Sequence, residues 1–173
     1  AESSGLAVSS VDDSIFTHND SVDTALFFRV DSRGNTVAVY PLRGATNVDW
    51  EDMASGTDDD GKPVLYLGDI GDNNSNRKEI EVYQVPEPAG ASADVAWVRY
   101  EFDYPDGPHD AEALLVDPRD HRIYIATKGL LGGELYEAPA APSETAVNTL
   151  VPLRSVPALV TSGDFSPDGS RLV

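Results

Sequence analysis

Helical periodicity is nearly absent from this 173-residue sequence, and short runs rich in Val, Ile, Tyr and Phe recur between clusters of Gly, Asp, Asn and Pro. Those two observations predict an all-β chain. A third observation, that groups of four strands return with the same turn chemistry, predicts a β-propeller, whose sheets repeat at about 40 to 50 residues or slightly more. A two-layer sandwich would also give many short strands, but it would not repeat its turns in step.

The elements follow in order. Gly5 to Val8 and Ser14 to Thr17 flank a turn at Ser9 to Asp13, and Ala25 to Val30 and Thr36 to Tyr40 flank Asp31-Ser32-Arg33-Gly34-Asn35. The pattern returns as Glu51 to Ala54, a loop through Asp58-Asp59-Asp60-Gly61, Val64 to Leu67, Glu81 to Val85 and Val95 to Phe102. It returns again as Glu112 to Val116, the turn Asp117-Pro118-Arg119-Asp120, Arg122 to Ala126, Glu134 to Ala138 and a last strand from Asn148 to Leu153. The second strands, marked by Ile15, Leu65 and Ile123, recur at blade spacing. Gly163-Asp164-Phe165 and the turn Ser166-Pro167-Asp168-Gly169 open a further copy. The expected blades are 1–46, 47–105 and 106–156, with the start of another at 157–173. Closure takes about four to eight blades, so the chain is expected to be a propeller fragment or part of an assembly whose partner fills the break. An unpaired strand at Ser170 to Val173 would invite such self-association.

Composition narrows the partners. Forty per cent apolar residues suit one globular domain with a core, and no apolar run approaches the roughly 18 residues of a membrane span, which predicts a soluble chain. Twelve Lys and Arg against 30 Asp and Glu give a net charge of -18, which repels phosphate backbones and anionic lipid. Neither nucleic acid nor membrane is expected as a partner. With no cysteine, disulfides, zinc–thiolate sites and thiol nucleophiles are excluded.

Propeller topology sorts the polar residues onto two faces. The turns between first and second strands, with Asp12, Asp13, Asp58, Asp59, Asp60, Asp117, Asp120, His121 and Asp168, belong to the far face and read as solvated turn formers. The near rim collects Asn47, Asp49, Glu51, Asp52, His109, Asp110, Glu112 and Asp164 from first-strand entries. Second-strand exits add His18, Asn19, Asp20, Asp69, Asp72, Asn73 and Lys128. Strand alternation puts Asp49 with Glu51 on one face and Asp110 with Glu112 on the matching face of the next blade, the glutamate deeper in each pair. Carboxylates crowded in this way must hold a proton or recruit a cation. A hard ion with six to eight oxygen ligands, Ca2+, is the expected cofactor, held by Glu51, Asp69, Glu112 and Asp164 with Asn19 and Asn73 as neutral helpers. The competing role for the same carboxylates is to accept backbone amides of neighbouring blades.

Gly68 to Arg77 is the densest oxygen-rich stretch. Its Asp72-x-Asn74-x-Asn76 opens like an EF-hand, but Arg77 stands where glycine is required and Tyr83 where the bidentate glutamate belongs, so the EF-hand is rejected. Lys128 reads as a salt-bridge partner for Glu112, and Trp50, Trp97, Tyr66 and Tyr124 as packing between blades. No Gly-x-Ser-x-Gly elbow, His-Glu-x-x-His or phosphate loop occurs.

Ser166-Pro167-Asp168-Gly169-Ser170-Arg171-Leu172-Val173 resembles the WD40-like repeat of TolB-type propellers. Asn47-Val48-Asp49-Trp50-Glu51-Asp52, Gly68-Asp69-Ile70-Gly71-Asp72-Asn73 and His109-Asp110-Ala111-Glu112-Ala113 look like segments of secreted bacterial propellers related to the phytase-like and gluconolactonase- or paraoxonase-like groups. The resemblance covers about a third of the chain and implies an extracellular protein with metal in or near the central channel.

Two functions stay open on the sequence. One is a secreted binding or scaffold module with a structural Ca2+ and a small molecule or protein at the channel rim. The other is a Ca2+-dependent hydrolase of esters, lactones or phosphoesters, with His109 and Glu112 as the catalytic acid–base residues. An assembly of partial propellers is a third expectation.

Overall fold

The computed structural model describes residues 3–21 and 24–173, and among them there is no helix. Strands β1 (Ser3–Val8), β2 (Ile15–Asn19), β3 (Leu26–Val30) and β4 (Thr36–Pro41) form one antiparallel sheet in sequence order. Strands β5 (Trp50–Thr57), β6 (Pro63–Asp69), β7 (Ile80–Pro86) and β8 (Val98–Asp103) form the second. The third contains β9 (Ala111–Val116), β10 (Ile123–Thr127), β11 (Gly133–Glu137) and β13 (Val151–Val156). The first strands are also neighbours across sheets, β1 against β5 and β5 against β9. Three four-stranded meanders sharing an inner row of strands are propeller blades, and among the described residues they form an arc that does not close.

After β13 comes a further hairpin, in which Phe165 pairs Leu172 and the backbones of Asp164 and Val173 exchange both hydrogen bonds. Turn chemistry explains why the meanders repeat. In each first-to-second-strand turn an aspartate accepts the N–H two residues on: Asp12 from Ser14 (2.9 Å), Asp58 from Asp60 (2.9 Å), Asp117 from Arg119 (2.9 Å) and Asp168 from Ser170 (3.0 Å). These are Asx turns, which mimic a backbone turn and reverse the chain after each inner strand. Hydrogen bonds from Ser166 and Ser170 hold the Asp168 carboxyl down at about 2.

Blades adhere through apolar side chains. Phe16, Phe27, Tyr40, Trp50, Leu65, Leu67 and Tyr83 fill the gap between the first two sheets, and Ile80, Phe102, Leu114, Ile125 and Tyr136 fill the next. Each such side chain contributes about 1.5–3 kcal/mol when removed from water. Trp50 is wholly buried, edge-on to His18 (centroids 5.4 Å apart) and against Tyr83 (5.8 Å). Tyr83 in turn meets Trp97 edge-on at 5.5 Å, Tyr66 lies in the core between the second and third sheets, and Tyr124 meets Phe165.

One strand departs from the expected pattern. Asn148 to Leu153 is not a single outer strand: β12 (Asn148–Thr149) pairs in parallel with β8 of the preceding blade, Leu150 is buried, and β13 begins at Val151. The Asn148 amide causes the split, donating to the carbonyls of Glu101 (3.0 Å) and Ser143 (3.0 Å) while accepting the Ser143 N–H (2.7 Å). This clamp ties the second and third blades at their outer edge.

Candidate functional site

The inner strands share one irregularity, and it creates the site. The register of β1 on β2 skips Gly5, that of β5 on β6 skips Glu51, and that of β9 on β10 skips Glu112. Each skipped residue is the extra one of a β-bulge, a device that bends a strand and re-aims a side chain. In the first blade only glycine fits: at φ 38° a Cβ on Gly5 would lie 2.5 Å from the His18 ring and 2.8 Å from the Met53 nitrogen. In the second and third blades the bulge presents a glutamate.

Around Glu51 the structure gathers two more carboxylates. One oxygen each of Asp20, from the loop after β2, Asp49, from the entry to β5, and Glu51 lie within 4.8 Å of one another, all three residues half-buried. Burial pushes the Glu51 carboxyl up to about 8, with further pushes from Glu112, Asp49, Asp20 and Asp110. Asp49 is also raised, by burial and then Asp20, with Arg77 pulling the other way. Glu51 and Glu112 are the bulge residues of adjacent inner strands, β5 and β9. Gly71 walls the cluster, since a Cβ there would lie 2.5 Å from Asp49 Oδ2 and 2.6 Å from Glu51 Oε1.

The oxygen-rich loop supports this cluster from the side. Asp69 is wholly buried and accepts the N–H groups of Val48 (2.9 Å) and Asp49 (3.0 Å) and the Arg77 guanidinium (2.7 Å). Its oxygens hold the entry to β5 in place. Asp72 accepts the Arg77 N–H (2.7 Å) and donates its own N–H to Asp110 (2.8 Å), and Arg77 also donates to the Gly71 carbonyl (2.8 Å). The loop is thereby pinned to the third blade.

The remaining expected ligands are spread more widely. Asn73 is exposed, its amide 3.5 Å from Asp49 Oδ2. Asn19 ends β2 one residue before Asp20 and accepts the His18 Nδ1–H on its carbonyl (3.0 Å). Asp164 is exposed and accepts the Phe165 N–H (2.7 Å). Glu112 bonds to the Lys128 ammonium, the salt bridge expected from the sequence. Asp52 is buried and knits the inner row, accepting Met53 N–H (2.9 Å), Leu114 N–H (3.0 Å) and the Ser162 hydroxyl (3.3 Å), with burial pushing it up to about 7. Asp20 and Asp49, which the sequence puts on the rim, are the residues the structure gathers with Glu51; their signal is adjacency to Asn19 and to Glu51. Gly71 was missed, and its signal was a small residue inside Asp69-Ile70-Gly71-Asp72.

His109 does not join Glu112. Its Nε2 lies 3.1 Å from Asp106 Oδ1 and 3.1 Å from the Tyr136 hydroxyl, which donates to Asp106 at 3.0 Å. These three residues, with Asp110, Lys128 and Leu131, line a cleft of about 530 Å3 beside the rim. His18 is wholly buried, and burial pushes its ring below the ordinary histidine range.

The fold has a counterpart among solved structures. The chain resembles one from Kuenenia stuttgartiensis hydrazine synthase. The two share 14% identity at a TM-score of 0.56, over 96% of this chain and 53% of that one. The present sequence therefore spans about half the length of that chain, and at this identity the likeness shows the fold alone. No protein-family model and no curated protein matches the sequence.

Proposed function

We propose that this chain is part of a secreted β-propeller that serves as a binding or scaffold module, with a Ca2+ ion held at the channel rim by Asp20, Asp49 and Glu51. One observation carries the reading: three carboxylates from two segments, Asp20 after β2 and Asp49 with Glu51 at the start of β5, bring oxygens within 4.8 Å of one another. Carboxyls that crowd and are half-withdrawn from water stay charged only beside a cation, and Ca2+ accepts irregular oxygen sets completed by water or ligand oxygens. A three-carboxylate site open to solvent suits the weak affinities of extracellular calcium modules, about 10⁻⁴–10⁻³ M. The test is thermal unfolding with and without chelator. Chelation is expected to lower Tm, and Ca2+ but not Mg2+ to restore it; an unchanged Tm removes the ion.

A second reading, a Ca2+-dependent hydrolase of esters, lactones or phosphoesters, is favoured by the cleft in which Asp106 and Tyr136 orient His109 next to the rim. In it His109 moves the proton, and Glu112 acts through its pairing with Lys128. Turnover on an ester and lactone panel that disappears in His109→Ala and Glu112→Gln at unchanged Tm supports this reading. No turnover by the wild type excludes it.

A further inference from the structure

We infer that His109 presents a bare Nδ1 as the proton acceptor of the cleft beside the rim, with Asp106 and Tyr136 as the positioning residues that keep the ring's hydrogen on Nε2. Hydrogen-bond roles fix this tautomer. Nε2 faces two oxygens, Asp106 Oδ1 at 3.1 Å and the Tyr136 hydroxyl at 3.1 Å. The carboxylate has no hydrogen to give, and the hydroxyl spends its own on Asp106, 3.1 Å from Oδ1 and 3.0 Å from Oδ2. A bare Nε2 would set its lone pair against that carboxylate, so Nε2 carries the hydrogen and the neutral ring keeps its lone pair on Nδ1. Desolvation pulls the Asp106 carboxyl up, but the hydrogen bonds from His109 and Tyr136 outweigh it and hold the group below the ordinary carboxylate range. The anion that orients the ring is therefore present at neutral pH.

Packing holds the ring in the same pose. Tyr104 is buried and meets the imidazole edge-on with centroids 5.0 Å apart, Tyr136 lies 5.7 Å from the imidazole, and the two tyrosines meet at 4.8 Å. Nδ1 has no hydrogen-bond partner among the described residues and is not closed off from solvent, and His109 lines the cleft. A ligand that fits there brings an O–H or N–H to His109. In the hydrolase reading above, on which only this last consequence rests, that donor is water. Its O–H bond breaks and the proton goes to Nδ1; the electron pair left on oxygen forms the new bond to the ester or lactone carbonyl carbon, whose π pair moves to the carbonyl oxygen. Asp106 stays ionised as the counter-charge to the imidazolium.

The test reads the tautomer directly, by nitrogen-correlated NMR of the imidazole at about pH 8, above the ordinary histidine range. The sequence has three histidines, and the His109 signals are those that vanish in His109→Ala. Wild type is expected to show a single tautomer, Nε2 protonated and Nδ1 bare. Asp106→Ala changes an exposed position, so it is expected to keep the fold and to move both nitrogens toward the averaged shifts of an exchanging ring. Should it fail to fold, Asp106→Asn removes the charge at constant shape and is expected to do the same. A protonated Nδ1 or averaged shifts in wild type, or shifts that neither variant moves, overturns the inference. Turnover is a separate readout: on the ester and lactone panel Asp106→Ala is expected to lower kcat about tenfold or more with KM unchanged. A single Nε2–H tautomer in a wild type without turnover overturns the hydrolase reading and leaves this inference standing. Turnover indifferent to Asp106→Ala overturns Asp106 as a positioning residue for that reaction.

Discussion

In the second blade the position that fastens the returning strand is Gly71, and the carboxyls beside it, Asp49 and Glu51, are both pushed above the ordinary range, burial leading in each case. In the third blade the Lys128 N–H donates to the Asp110 carbonyl, and its ammonium is ion-paired with Glu112. The bulge and the carboxylates match, and the blades differ in that the third carries a lysine ammonium on its glutamate. Repetition of sheets builds two similar carboxylate pairs in different charge surroundings.

The largest expected effect comes from the support common to both rims. Asp69→Ala leaves two backbone donors and the Arg77 guanidinium without their acceptor in a fully buried place. Breaking such a buried pair costs about 3–5 kcal/mol. Urea unfolding should show that loss, together with loss of Ca2+ binding; a cost below about 1 kcal/mol would mean that Asp69 does not hold the β5 entry.

Next comes the charge on Glu51. Because its folded-state carboxyl is raised to about 8, the folded protein binds this proton more tightly than the unfolded chain. Without cation, stability is therefore full below the ordinary carboxylate range and falls as pH rises through about 8. Asp52, raised to about 7, adds to the slope over the lower part of that window. Glu51→Gln should gain about 1–2 kcal/mol at the alkaline end, after discounting for partial exposure, and should flatten the slope. A variant as pH-sensitive as wild type would show that Glu51 is not the crowded group.

Gly71→Ala sharpens the comparison from the other side. The added methyl meets the mobile ends of Asp49 and Glu51, which can swing away, so the cost without Ca2+ should stay below about 1 kcal/mol. Ca2+ affinity should nevertheless fall about tenfold or more, equivalent to about 1.4 kcal/mol, because the ligands are spread. Equal affinity in calorimetry would mean that Gly71 does not border the site. Smallest of all is Lys128→Met, which removes a partly exposed ion pair and should change stability by about 0–1 kcal/mol at neutral pH in thermal unfolding. A larger loss would make Lys128 a structural clamp.

The blades were legible in the sequence because their cause is local: an aspartate in each turn, here Asp12, Asp58, Asp117 and Asp168, binds a backbone amide two residues away. Likewise, the face on which the rim residues fall follows from chain direction alone. The bulges at Glu51 and Glu112 were not legible, since an extra residue in a strand leaves no compositional mark and the period-two rule passes over it. Nor could oxygen richness reveal that Asp69 spends its carboxylate on the amides of Val48 and Asp49, because those amides arrive from 21 and 20 residues away. The split at Leu150 depended on Asn148 reaching the carbonyl of Glu101 in another blade.

The most direct test is anomalous diffraction from crystals grown with Ca2+. The expected map shows one peak bounded by Asp20, Asp49 and Glu51 against Gly71, and none between Asp110 and Glu112, where the Lys128 ammonium remains. A rim without a peak, or a peak only among the far-face turns at Asp58, Asp59 and Asp60, would contradict the account.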